Sequence, residues 1–248
     1  CFEYRGILYR QNWEVPWCVH NRTNGLWEHR DSPGLPPEWG GHIKYAAFVH
    51  TFVGTLIPET QFETHPDWFA EMEGRRHQDQ LCCTHPEVIA AVIRKTRALL
   101  IADPAARIIS ISQNDNHTYC RCARCEPINR REGSPAGPLL ILVNAVAEAL
   151  ADEFPHVSFD TLAYLFSRRP PRHIRPHPRV IIRLCSFECD FLHPLDHPNN
   201  QPFFQDLVGW SKICRRLYIW DYVTNYAHFL LPHPNWPVLA DNIRLFRN

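Results

Sequence analysis

Apolar residues along the chain fall into two kinds of run that take turns. Short runs rich in β-branched and aromatic residues read as strands. They are YRGILYR at Tyr4–Arg10, KYAAFVHTF at Lys44–Phe52, RIISIS at Arg107–Ser112, VSFDTLAYLF at Val157–Phe166, RVIIRLCSFE at Arg179–Glu188 and RLYIWDYV at Arg216–Val223. Longer runs repeat with helical spacing. Pro86 suits a first helical position, and Val88, Val92, Thr96 and Leu99 behind it share one face. Pro138 opens a second helix that stops before Pro155, and Phe203, Leu207, Trp210 and Cys214 line one side of a third. A shorter helical piece covers Val15 to Asn21. The stretch from Ile57 to Cys83 shows little periodicity and reads as a long functional loop.

Strands that alternate with helices imply a parallel sheet. Six strands without a dinucleotide-binding glycine fingerprint favour a closed barrel over a doubly wound sheet. The expected class is α/β, a (β/α)8-type TIM barrel forming one domain over residues 1–248. The link SRRPPRHIRPHP, Ser167–Pro178, breaks the alternation, because it holds too much proline for a helix. The chain opens at Cys1 without Met and stops inside the helix-like VLADNIRLFRN. A fragment of a longer protein is therefore expected, with the closing strand of its barrel missing.

Charge narrows the partners. The 26 Lys and Arg balance 26 Asp and Glu, so no field of one sign recruits nucleic acid or a membrane. The basic RRPPRHIRPHPR run reads as a solvated loop. No apolar run is long enough for a transmembrane helix. Twenty-two prolines suggest long ordered loops. Eight Trp and eight Tyr offer flat rings of the kind that pack on sugar faces, although such rings more often fill cores.

In a β/α barrel, chemistry gathers where strands end. Those ends carry His50, then Gln113, Asn114, Asp115 and Asn116, then Tyr164, then Glu188, then Trp220, Asp221 and Asn225. Polar groups that would be costly in mid-strand thus recur at one edge, three carboxylates among them. Glycoside hydrolysis asks for such a set: one group protonates the leaving oxygen and another attends to the anomeric carbon. Asp115, Asn114 and Glu188 are the candidate catalytic residues. His50, Gln113, Tyr164, Trp220, Asp221 and Asn225 are the candidate substrate contacts. Five of them have a plainer reading. Asp115 and Asn114 suit loop caps, Glu188 and Asp221 suit structural ion pairs, and His50 suits a core histidine.

Ten cysteines are unevenly spread. Cys120, Cys122 and Cys125 stand at C-x-C-x-x-C spacing, supplying three thiols to one loop. Zinc needs a fourth ligand, for which Cys82, Cys185, Cys189, His117 and His193 are available. Disulfides clipping the loop, or free thiols, fit the spacing as well. No H-E-x-x-H, G-x-S-x-G or P-loop pattern is present, and no further cofactor is expected.

Long stretches of the chain resemble a known family. FEYRGILYR, FVHTF, HPDWFAEMEGRR, QLCCTHPEV, SISQNDNHTYCRCARC, EGSPAGPLLILVNAVAEAL, DTLAYLFSRRPP, RLCSFECDFLHPL and GWSKICRRLYIWDYVTNYAHFLLPHPN are similar, in order, to the bacterial domain of unknown function 4838. That domain is similar to the catalytic barrels of glycoside hydrolases. It includes glycoside hydrolase family 163, endo-β-N-acetylglucosaminidases acting on complex N-glycans. The resemblance implies an exported protein, extracellular or periplasmic, with a glycan as substrate. It also implies a retaining mechanism in which the substrate's own acetamide attacks the anomeric carbon. Asn114 would orient the acetamide, Tyr164 would hydrogen-bond it, and Asp115 would protonate the leaving group. Related barrels more often carry two acids at these adjacent positions. The rival expectations are a glycan-binding barrel without a working acid and a thiolate-zinc structural module.

Overall fold

The computed structural model describes residues 5–7, 14–23, 35–39, 41–228 and 230–247. In chain order the elements are α1 (Val15–Asn21), α2 (Gln61–Thr64), β1 (Phe69–Met72), β2 (Arg75–Leu81), α3 (Pro86–Ala102), β3 (Ile108–Ser110), α4 (Cys125–Glu132) and α5 (Ala136–Leu150). They continue with β4 (Ser158–Ala163), β5 (Val180–Cys185), α6 (Gln201–Ile213), β6 (Arg216–Trp220) and α7 (Leu239–Arg247). Strands β3, β4, β5 and β6 form a four-stranded parallel sheet in that order. Ile108 registers with Ser158, Phe159 with Val180 and Ile181 with Arg216. The fold is thus α/β with a parallel sheet.

Both faces of the sheet are covered, as parallel strands require. Ile109, Ile111, Phe159, Val180, Ile182 and Leu184 point to the helices and join Val88, Val92, Leu140, Val143, Phe203 and Trp210 in the main core. The alternate positions face the other way and are largely polar. Asp160 and Arg183 meet there, fully buried, at 2.9 Å. Arg183 also reaches the Tyr45 hydroxyl. Its guanidinium lies 5.4–5.8 Å from the ring centroids of Tyr45, Phe48, Tyr218 and Trp220.

The expected strand at Lys44–Phe52 runs beside β3 without forming a regular ladder. Tyr45 makes one parallel bridge to Ile108, and Ala46, Thr51 and Phe52 donate N–H bonds to the carbonyls of Ile108 and Ser112. Positive φ at Val49 (26°) and His50 (51°) breaks the extended run. Most of the expected Tyr4–Arg10 strand lies outside the described residues. The stretch Ile57–Cys83 is not a bare loop, since β1 and β2 form an antiparallel hairpin within it. Among the described residues no single helix is long and apolar enough to cross a membrane.

The proline-rich link between β4 and β5 has no α-helix, as its composition demands, and neighbours satisfy its backbone instead. Glu132, fully buried at the end of α4, accepts N–H bonds from His173 at 2.7 Å and Ile174 at 3.0 Å. Asn144 of α5 bonds Arg175 and His177, and Trp210 of α6 donates to the Arg168 carbonyl. Two glycines permit the close approach. A Cβ on Gly137 would lie 2.7 Å from Cγ of Glu132, and one on Gly209 would lie 2.6 Å from Cγ of Pro170.

Candidate active site at the carboxyl edge of the sheet

The C-terminal ends of the four parallel strands bring together residues far apart in sequence. Asp115 stands exposed on the turn after β3. Beside it lies Tyr164, the residue after β4's end. Burial pushes the Tyr164 phenol above its ordinary value, and the Asp115 carboxylate adds to this by its charge and a hydrogen bond. Glu188 acts on the same phenol from the far side of β5. Its own carboxylate is exposed and tied at 2.5 Å to Arg168, which also holds Asp206 at 2.8 Å. Glu188, Arg168 and Asp206 line a polar cavity of about 400 Å³.

Asp221 follows β6. Its Oδ1 accepts from the Ser186 hydroxyl at 2.6 Å and from the Tyr222 N–H at 3.0 Å. Burial nevertheless outweighs these bonds and raises the carboxyl above its ordinary value. Cys185, buried at the end of β5, is pushed up to about 12, first by burial.

A band of aromatic rings runs past these carboxyls. His50 lies 6.3 Å from Tyr164, Tyr164 lies 6.0 Å from Phe187, and Phe187 lies 5.5 Å from Tyr222. Tyr222 then meets Phe191 at 6.5 Å and Tyr226 at 5.9 Å. Phe187 and Tyr226 are about half exposed (48% and 49%), so the band is open to a ligand rather than sealed in a core. Strand-end reasoning reaches Tyr164 but misses Phe187, Phe191, Tyr222 and Tyr226. These stand on loops without periodicity, and only the excess of aromatics hints at them. Positive φ at His50 and at Leu165 (49°), next to Tyr164, sets backbone strain on the same rim.

Several expected site residues turn out to be framework. Gln113 is 1% exposed and its Nε2 donates to Ser167 Oγ at 2.7 Å, locking the turn after β4, so it is not placed to touch a substrate. Asn114 spends its carboxamide on Val53, accepting from the N–H at 3.0 Å and donating to the carbonyl at 3.4 Å. It is therefore not free to orient an acetamide. Asn225 Oδ1 accepts from the N–H groups of Ala227 and His228, a turn cap. Trp220 packs on Phe48 at 5.7 Å and beside Arg183, on the inner face of the sheet. His50 uses Nδ1 on the Gln113 carbonyl at 2.8 Å and keeps its ring against Tyr164.

The cysteines gather elsewhere. Cys120 and Cys122 lie on the loop after β3, Cys125 begins α4, and Cys82 follows β2. Their four sulfurs all fall within 4.8 Å of one another. Cys185 is not among them, because it sits at the end of β5 and bonds its own strand through the Arg183 carbonyl. His193 is held by Asp190 at 2.7 Å and stacked on His197.

Residues 1–248 match the family described as a domain of unknown function, DUF4838. The chain belongs to that family. The sheet, its carboxyl-edge site and the cysteine cluster are thus features of a DUF4838 chain. No curated protein matches it. Among solved structures it is similar to a GH36 alpha-galactosidase variant from Geobacillus stearothermophilus, determined in complex with 1-deoxygalactonojirimycin. Identity is 13% and the TM-score 0.40, over 84% of this chain. The DUF4838 chain spans 28% of that enzyme's length.

Proposed function

We propose that this chain carries the active site of a glycoside hydrolase that acts on N-acetylhexosamine-containing glycans, in an exported protein, extracellular or periplasmic. The observation that carries the reading is the carboxyl edge of the sheet, where Asp115, Glu188 and Asp221 flank an open band of aromatic rings. Flat rings give sugar faces an apolar platform, and carboxyl groups supply the acid chemistry of glycosidic cleavage. A parallel sheet with helices on one face and buried polar residues on the other also supports reading it as part of a (β/α)8 barrel.

A general acid must arrive protonated. Among the three carboxyls at this edge, Asp221 combines burial with a raised pKa, and we assign it the proton that goes to the leaving oxygen. Asp115 and Tyr164 form the partner pair, the carboxylate accepting from the acetamide N–H and stabilising the positive oxazolinium-like charge that develops, the phenol donating to the acetamide oxygen to orient it. This replaces Asn114, which is occupied by Val53. The endo-β-N-acetylglucosaminidase activity suggested by the resemblance to glycoside hydrolase family 163 is the specific substrate reading.

The test compares natural glycans with aryl glycosides whose leaving group needs no proton. Asp221→Asn is expected to lower kcat on glycan by at least about 100-fold while sparing the activated substrate, because general acid catalysis is worth about 10²–10⁴. Asp115→Asn is expected to lower both. The reverse pattern moves the acid to Asp115. Glycan binding with no turnover by the unaltered protein would identify a binding barrel instead.

A further inference from the structure

We propose that Cys82, Cys120, Cys122 and Cys125 hold one zinc ion in a closed tetrathiolate site that fastens the β1–β2 hairpin to the loop carrying Asp115. The spacing of the sulfurs argues for it. Cys82 Sγ lies 3.6 Å from that of Cys122 and 3.8 Å from that of Cys125. A disulfide would need about 2.05 Å. Tetrahedral zinc with Zn–S bonds of about 2.3 Å sets its sulfurs about 3.8 Å apart.

The surroundings argue the same way. All four cysteines are buried, between 0% and 6% exposed. Among the described residues they form a cluster separate from the main core, with Ala70 as the only other member. Packing alone gives no reason to place four thiols against one another. Two other buried cysteines behave differently. Cys83 Sγ approaches the Leu81 carbonyl and Cys185 Sγ the Arg183 carbonyl, both within their own segments.

An outer layer is present too. The Glu71 N–H donates to Cys120 Sγ at 3.4 Å, and the Thr84 hydroxyl lies 3.1 Å from Cys125 Sγ, placed to donate. Asn129 Nδ2 holds the Cys120 carbonyl at 3.0 Å. Such contacts orient ligands and offset the charge of bound thiolates. Each thiol loses its proton as it ligates, so filling the site releases four protons and leaves a net charge of −2 on the metal and its sulfurs. Four protein donors leave no position for water, which makes the site structural rather than catalytic. Thiolate ligands select zinc or iron over magnesium or calcium.

What the ion would fasten is specific. Gln80, two residues before Cys82, donates to the Asn114 carbonyl at 2.8 Å and to Asn116 Oδ1 at 3.1 Å. Arg121 N–H bonds the Glu71 carbonyl at 2.6 Å. The hairpin thereby grips both ends of the segment that bears Asp115. This inference stands apart from the hydrolase reading, since metal content is measured without a substrate.

The experiment is elemental analysis of the purified chain after gel filtration without chelator. One zinc per chain is expected. Cys82→Ser and Cys122→Ser should each bring it to background, while Cys83→Ser and Cys185→Ser retain it. Because a ligand variant can fail to fold, the unaltered chain is also stripped and reloaded with cobalt(II). Tetrahedral d–d bands with thiolate charge transfer are then expected. Metal-free protein whose thiols alkylate equally fast with and without added zinc would overturn the proposal. So would mass-spectrometric evidence of disulfides among these four, and iron in place of zinc would overturn the choice of metal.

Discussion

At Asp221, desolvation outweighs two hydrogen bonds and keeps a proton on the carboxyl above the usual aspartate range of about 3.9. The sign for activity follows. The protonated form predominates at low pH and is lost as pH rises through the raised pKa, so under the proposed function Asp221 is expected to set the alkaline limb of kcat. Asp221→Asn should flatten that limb. The buried pair of Asp160 and Arg183 makes a different prediction. Arg183→Met leaves a carboxylate at 0% exposure without its cation, and breaking such a pair costs about 3–5 kcal/mol. Urea denaturation of Arg183→Met should show that loss, and the Asp160→Asn, Arg183→Met double variant should recover much of it.

Among the elements, the helix-free link depends on one side chain. Burial alone would raise the Glu132 carboxyl, but the N–H groups of Ile174 and His173 and the guanidinium of Arg131 hold it below its ordinary value. A depressed carboxyl stabilises the fold above the unfolded value of about 4.3 and loses that contribution as pH falls through its folded pKa. Glu132→Ala strands two N–H groups at about 1–3 kcal/mol each. A loss of about 3 kcal/mol is expected, with amide hydrogen exchange quickened at His173 and Ile174. The sequence showed this link only as a defect in helix pattern. It located β4 and β5 well because buried parallel strands are runs of β-branched and aromatic residues, and α3 because Pro86 marks its start. The hairpin escaped it. RRHQDQL, Arg75–Leu81, is buried only at its last two residues and shows no clean alternation. Helix α4 escaped it because CEPINRRE is polar and carries a proline in its first turn. At the site, strand-end position pointed to Asp115, Tyr164 and Asp221. It could not show that Gln113 and Asn114 face inward to hold the Val53 and Ser167 turns, a matter of side-chain direction. The C-x-C-x-x-C spacing marked three sulfurs, and Cys82 joins them only because the hairpin folds back over the loop.

On the scale of the whole molecule, the sheet divides two environments. One face is sealed by α3, α5 and α6 with aliphatic residues, and the other holds Asp160, Arg183 and the rings around them. Under the proposed function, the catalytic groups then need only follow the strand ends, where the polypeptide leaves the sheet. The strand order has a further consequence, one of timing. From β3 to β6 the spatial sequence is the order of synthesis, and the segment before β3 lies against β3's free side. A ribosome therefore releases each strand when its neighbour already waits as a template. No strand has to be threaded between two that have paired, and an emerging chain can extend its sheet at a single growing edge.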